Sequence, residues 1–111
     1  MVLPTITFTF DADDVTKSET LAIGQAKIGL LSKLEVIIAN CTNAITAVIT
    51  ITSPRGGVIY TSAGLAENAT TVVSPAVHIE AGSIITATLS GITGDAGDKT
   101  IVLSGYISEL W

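Results

Sequence analysis

Short runs in which apolar and polar residues alternate dominate the chain. In residues 5–10, Ile6, Phe8 and Phe10 point one way and Thr5, Thr7 and Thr9 the other, the period-2 signature of a half-buried strand. Residues 44–52 repeat it, with Ile45, Ala47, Ile49 and Ile51 against Thr46, Val48, Thr50 and Thr52. So do residues 83–90, with Ile85, Ala87 and Leu89 inward. In residues 100–107, Ile101, Leu103, Gly105 and Ile107 oppose Thr100, Val102, Ser104 and Tyr106. Shorter strands are expected at 19–23, 58–61, 70–74 and 77–80.

Turn chemistry separates these runs. Residues 11–18 read as a polar loop, Gly24 closes the strand before it, and 40–43 read as a turn. Ser53-Pro54-Arg55-Gly56-Gly57 is a hairpin connection, because Pro sets φ and Gly is free to take positive φ. Residues 62–69 read as a small-residue loop, Pro75 stops a strand, Ala81-Gly82 turns the chain, and 91–98 form a Gly- and Asp-rich turn. Residues 25–40 fit two patterns. Ile28, Leu31, Leu34 and Ile38 could make a helical stripe, whereas Leu34, Val36 and Ile38 could make one face of a strand. Gly24, Gly29 and the β-branched run Val36-Ile37-Ile38 favour strand from about Ser32 onward.

About eight short strands at near-regular spacing predict an all-β fold: a single antiparallel β-sandwich, jelly-roll or immunoglobulin-like, filling one domain over residues 1–111. Composition agrees. Thr, Ile and Val supply 40 of the 111 residues, and stiff β-branched side chains suit a pleated surface. A lone Cys41 allows no internal disulfide and reads as a small hydrophobe.

Charge changes the picture of the outward faces. Only 14% of residues are charged, against about 25% in typical domains. Between Val36 and Ala66 the single charge is Arg55, so outward positions there carry Thr, Ser and Ala. Such a surface stays polar yet costs less to desolvate than one of Lys and Glu. The expected interface residues are therefore Thr46 and Thr50, outward on one strand. Leu110 and Trp111 join them, because an indole left in water wastes a large apolar surface. Trp111 would either fold back over its own sandwich or insert into a neighbour. The net charge of −5, with five scattered basic residues, argues against nucleic acid. No run of about 18 apolar residues argues for a membrane span, and residues 1–10 carry no signal-peptide pattern.

Candidate chemistry is thin. His78 is the sole histidine, on an alternating strand with Glu80 two residues on; it reads as a strand residue rather than a base. The Asp11-Ala12-Asp13-Asp14 and Asp95–Asp98 groups read as turn chemistry, with calcium as an alternative. The sequons at Asn40 and Asn68 carry meaning only in a secreted protein. No nucleophile elbow, zinc spacing or nucleotide loop is present. The expectation is a protein that is not an enzyme, with no catalytic residues, cofactor or metal.

Residues 33–40 (KLEVIIAN), 44–52 (AITAVITIT), 57–60 (GVIY), 79–91 (IEAGSIITATLSG) and 101–107 (IVLSGYI) together resemble the small β-sandwich head decoration, or cement, and accessory virion proteins of tailed bacteriophages. The resemblance covers roughly residues 33–107. It implies a homo-oligomer that sits on a capsid, with itself and a major capsid or other virion protein as partners, made in the host cytoplasm and located in the virion. The alternative is a carbohydrate-binding or adhesin module. That reading needs a cluster among Tyr60, Tyr106 and Trp111, whereas dispersal of these aromatics favours assembly.

Overall fold

The structure, a computed structural model, describes residues 3–11, 14–21, 28–40, 45–91 and 99–110, with backbone alone at Glu109 and Leu110. The described residues form ten strands and no helix: β1 (Ile6–Phe10), β2 (Thr16–Thr20), β3 (Ile28–Ile38), β4 (Thr46–Thr52), β5 (Val58–Thr61), β6 (Leu65–Ala66), β7 (Ala69–Val73), β8 (Val77–Glu80), β9 (Ile84–Ser90) and β10 (Lys99–Leu110). Two antiparallel sheets pack face to face. One runs β1-β10-β3, then β7 and β8 end to end along β3; the other runs β2-β9-β4, then β5 and β6 end to end along β4. Ten strands thus fill eight positions.

The pairing settles which sandwich this is. β1 pairs with β10, β2 with β9, β3 with β7 and β8, and β4 with β5 and β6. The first half of the chain therefore lies antiparallel to the second half, as one long hairpin wound across both sheets. That is the jelly roll, with its double Greek key; an immunoglobulin-like sandwich would distribute the strands differently.

The core follows the alternation. Ile45, Ala47, Ile49, Ile51, Ile85, Ala87, Leu89, Ile101, Leu103 and Ile107 are all buried, with Phe8 and Phe10 edge to face at 6.3 Å between centroids. Leu3 crosses the N-terminal side of the core, donating its N–H to the Gly105 carbonyl at 2.9 Å. Gly105 leaves room for the ends of two leucine side chains. A Cβ would stand 2.9 Å from Leu3 Cδ1 and 3.2 Å from Leu31 Cδ1.

Four expectations change. The strand expected at 19–23 begins three residues earlier, at Thr16 within the expected loop, and ends at Thr20, because pairing with β9 from Thr16↔Thr88 to Thr20↔Ile84 fixes it rather than any apolar run of its own. β3 begins at Ile28, four residues before Ser32, and is strand throughout. The 62–69 loop contains β6, with Leu65 buried. β10 runs to Leu110 rather than Ile107. Gly24, the 40–43 turn beyond Asn40, Cys41 and the 91–98 turn beyond Gly91 lie outside the described residues.

The helical reading of residues 25–40 has a physical source. Tyr106 pairs with Lys33 but Ile107 pairs with Leu31, so Ser32 is an extra residue in β3. Such a β-bulge shifts the inward side by one position. Leu31 and Leu34 are therefore both buried although three apart, a spacing that imitates a helix. The Ser32 hydroxyl donates to the Tyr106 carbonyl at 3.2 Å and steadies the bulge.

Candidate interaction surface

The charged groups at the surface make local contacts. Asp14 accepts the Asp11 N–H at 3.0 Å and pairs with Lys17 at 3.2 Å. These two contacts, the backbone one first, hold its carboxyl below the usual aspartate value. This is the expected turn chemistry; Asp13, Asp95 and Asp98 lie outside the described residues. Among the described residues no three His, Cys, Asp or Glu side chains gather into a metal-sized group. His78 is exposed on β8 opposite Leu30. The Glu80 carboxylate is engaged by Arg55 at 2.6 Å, which raises the guanidinium's affinity for its proton and ties the 53–57 hairpin of one sheet to β8 of the other. A cleft of about 130 Å³ between Pro4, Ile6, Glu19 and Leu21 is smaller than the roughly 300 Å³ at which ligand pockets begin.

The edges of both sheets are guarded. β1, β2 and β7 have five residues each and β5 and β8 four, whereas β3 and β10, in the middle of their sheet, have eleven and twelve. Short edges resist strand addition. On β2, Lys17 and Glu19 fall opposite Ala87 and Ile85, on the inward side, where a charge blocks pairing with another strand's apolar face. Between β5 and β6, Ser62 replaces a ladder rung: its hydroxyl accepts the Ile49 N–H at 2.9 Å and donates to the Ala63 carbonyl at 2.8 Å. Between β7 and β8 stand Pro75 and Ala76, the latter at φ 52°. Association through the β2, β5–β6 and β7–β8 edges is thus disfavoured.

The outer face of the β4 sheet is a lattice of hydroxyls. Register places Ser18, Thr86, Thr50 and Thr61 side by side across four strands. Ser18 and Thr86 share a hydrogen bond at 2.9 Å. Thr16, Thr88 and Val48 form the row on one side; Thr20, Ile84, Thr52 and Val58 form the row on the other. Thr46 lies between Ser90 and Ala66. No charged residue occupies an outward register position in these rows. Thr46 is exposed and Thr50 half-buried, both outward on β4, as expected. Sequence reading found these two but missed Ser18, Thr86 and Thr61, because their alignment depends on pairing across as many as 68 residues. Trp111 and the Leu110 side chain lie outside the described residues.

Of the three aromatics at issue, the described Tyr60 and Tyr106 belong to different sheets, and Trp111 lies outside the described residues. Tyr60 is opposite Ile51 and packs against the core, where burial raises its phenol above the usual value. Tyr106 is exposed on the outer face of the other sheet.

No protein-family model matches the chain, and no curated protein matches it. Solved structures give distant likenesses. The Drosophila NLP-core, described with pentamer formation and histone binding, aligns at TM-score 0.45 and 15% identity over 96% of this chain and 99% of that one. The Yersinia pseudotuberculosis-derived mitogen aligns at TM-score 0.41 and 9% identity over 98% and 93%. The infectious bursal disease virus Gx strain aligns at TM-score 0.36 and 15% identity over 95% of this chain and 30% of that one. At these scores none of them carries an argument about function.

Proposed function

We propose that this chain is a non-enzymatic structural protein that packs its hydroxyl-lined sheet face against another protein subunit. In its fuller form it is a decoration protein that oligomerises on a bacteriophage head and reinforces it, as the sequence resemblance implies. The observation that carries the reading is the uncharged Ser18-Thr86-Thr50-Thr61 row with its flanking rows. A solvated sheet face ordinarily carries Lys and Glu. This face instead offers short hydroxyl side chains that can be desolvated and re-bonded across an interface. The guarded edges support face packing. The separation of Tyr60 from Tyr106 supports assembly over a sugar-stacking site.

The test is the double substitution Thr46→Lys with Thr50→Lys. Two like charges in a desolvated contact should abolish association through this face, read as a drop in particle mass by light scattering and loss of binding to capsid shells. Unchanged mass together with unchanged shell binding would overturn the proposal. Deleting Leu110 and Trp111 examines the other expected contact. An anchoring role predicts weaker association with an unaltered melting temperature, and a lid predicts the reverse.

A further inference from the structure

The outer face of the other sheet is built differently. Because the Ser32 bulge shifts the side-chain alternation, the outward residues of β3 run Ile28, Leu30, Lys33, Glu35, Ile37. Leu30 faces outward across from exposed His78, and Leu31 faces inward across from Val77, which packs on the core. Lys33 lies opposite Tyr106, Glu35 between Ser104 and Val72, and Ile37 between Val102 and Thr70. Ile37, Val72 and Tyr106 are 38%, 57% and 48% exposed. Neither Lys33 nor Glu35 has an ion-pair partner among the described residues.

From Leu30 to Ile37 this order is a charge palindrome centred on Leu34: apolar, positive, negative, apolar. We propose that the outer face of β3 is a two-fold self-association surface whose occupant is a second copy of this chain. The axis lies in the interface plane, perpendicular to β3 and over Leu34. Rotation about it reverses the strand and sets Lys33 against Glu35 of the second copy, and Leu30 against its Ile37. Every contact then occurs twice, which is the requirement of an isologous contact. The exposed Ile37, Val72 and Tyr106 supply apolar area around the charges. The two larger dimensions of the molecule, 45 and 24 Å, leave room for the roughly 800 Å² per partner of a standard interface. A bulge-free β3 could not present this order, since Leu31 rather than Leu30 would share a side with Lys33.

This surface is distinct from the hydroxyl face and is tested separately. Charge reversal at one position, Lys33→Glu or Glu35→Lys, puts like charges together twice and should weaken self-association about tenfold or more. The two variants are then mixed. Each chain carries the complement of the other, so the mixture should form heterodimers with an affinity near that of the original chain, measured by sedimentation equilibrium. Circular dichroism of each variant alone checks that it folds, and recovery in the mixture shows that it is competent. Singles that associate as the original chain does, or a mixture no tighter than the singles, would overturn the proposal. Recovery in the mixture, together with unchanged association and shell binding on Thr46→Lys with Thr50→Lys, would uphold this surface and sink the hydroxyl-face reading; the opposite pair of results would do the reverse.

Discussion

The two sheets share a core but differ in what they turn outward. Inside, the β3 sheet contributes Leu34, Val36, Ile101 and Leu103, and the β4 sheet contributes Ala47, Ile49, Ile51 and Ile85, all buried. Outside, the β3 sheet presents Val72, Ile37 and Tyr106 around Lys33 and Glu35, whereas the β4 sheet presents uncharged rows, mostly Thr and Ser with Val48, Val58 and Ile84 among them. Inward positions are constrained by packing and so resemble one another. Outward positions are free of that constraint, so a departure from Lys and Glu there speaks to use rather than to stability. The β3 sheet has a charge order that selects one orientation of a partner; the β4 sheet has an uncharged surface of hydroxyls interrupted by Val48, Val58 and Ile84.

The shared core predicts equal penalties. Ile49→Ala in the β4 sheet and Leu103→Ala in the β3 sheet should each destabilise by about 2–5 kcal/mol through lost burial and a cavity, measured by urea unfolding. A cost under about 0.5 kcal/mol for either would break the equality and invert the face assignment in that strand. Smaller and sheet-specific effects come next. Gly105→Ala should cost the β3 sheet about 1–3 kcal/mol by crowding Leu3 and Leu31, and Leu3→Ala in the same chain should make the change less costly than it is alone. Ser62→Ala should cost the β4 sheet about 1–3 kcal/mol, since the buried Ile49 N–H loses its acceptor. If Ser62→Ala is neutral, water or another acceptor reaches that edge, and its protection is weaker than the geometry implies.

The smallest effect is a titration. Burial raises the Tyr60 phenol above 10. The neutral phenol's contribution to stability is therefore complete below pH 10 and is lost as pH climbs through the higher folded-state value. Ultraviolet titration should show a late tyrosine step that Tyr60→Phe removes. A late step that survives the substitution would place the buried phenol elsewhere.

Sequence alone determined the strand positions and inward faces of β1, β4 and β9, the inward face of β10 from Ile101 to Ile107, and the 53–57 hairpin between β4 and β5, where Gly56 takes φ 94°. Those are local matters: side-chain alternation has period 2, and Gly and Pro restrict φ where they stand. Sequence also placed Thr46 and Thr50 on the outward side of β4, because an outward Thr in a charge-poor strand is visible in the alternation. Tertiary structure decided the rest. β2 has almost no apolar signal and exists because β9 offers it a ladder. The Ser32 bulge exists because β10 sets the register of β3, and without it the order Leu30, Lys33, Glu35, Ile37 cannot be read. The jelly-roll winding and the Ser18-Thr86-Thr50-Thr61 row likewise join residues far apart in sequence. Period and turn chemistry act over a few residues, whereas register and strand neighbours are fixed by hydrogen bonds and packing between distant segments.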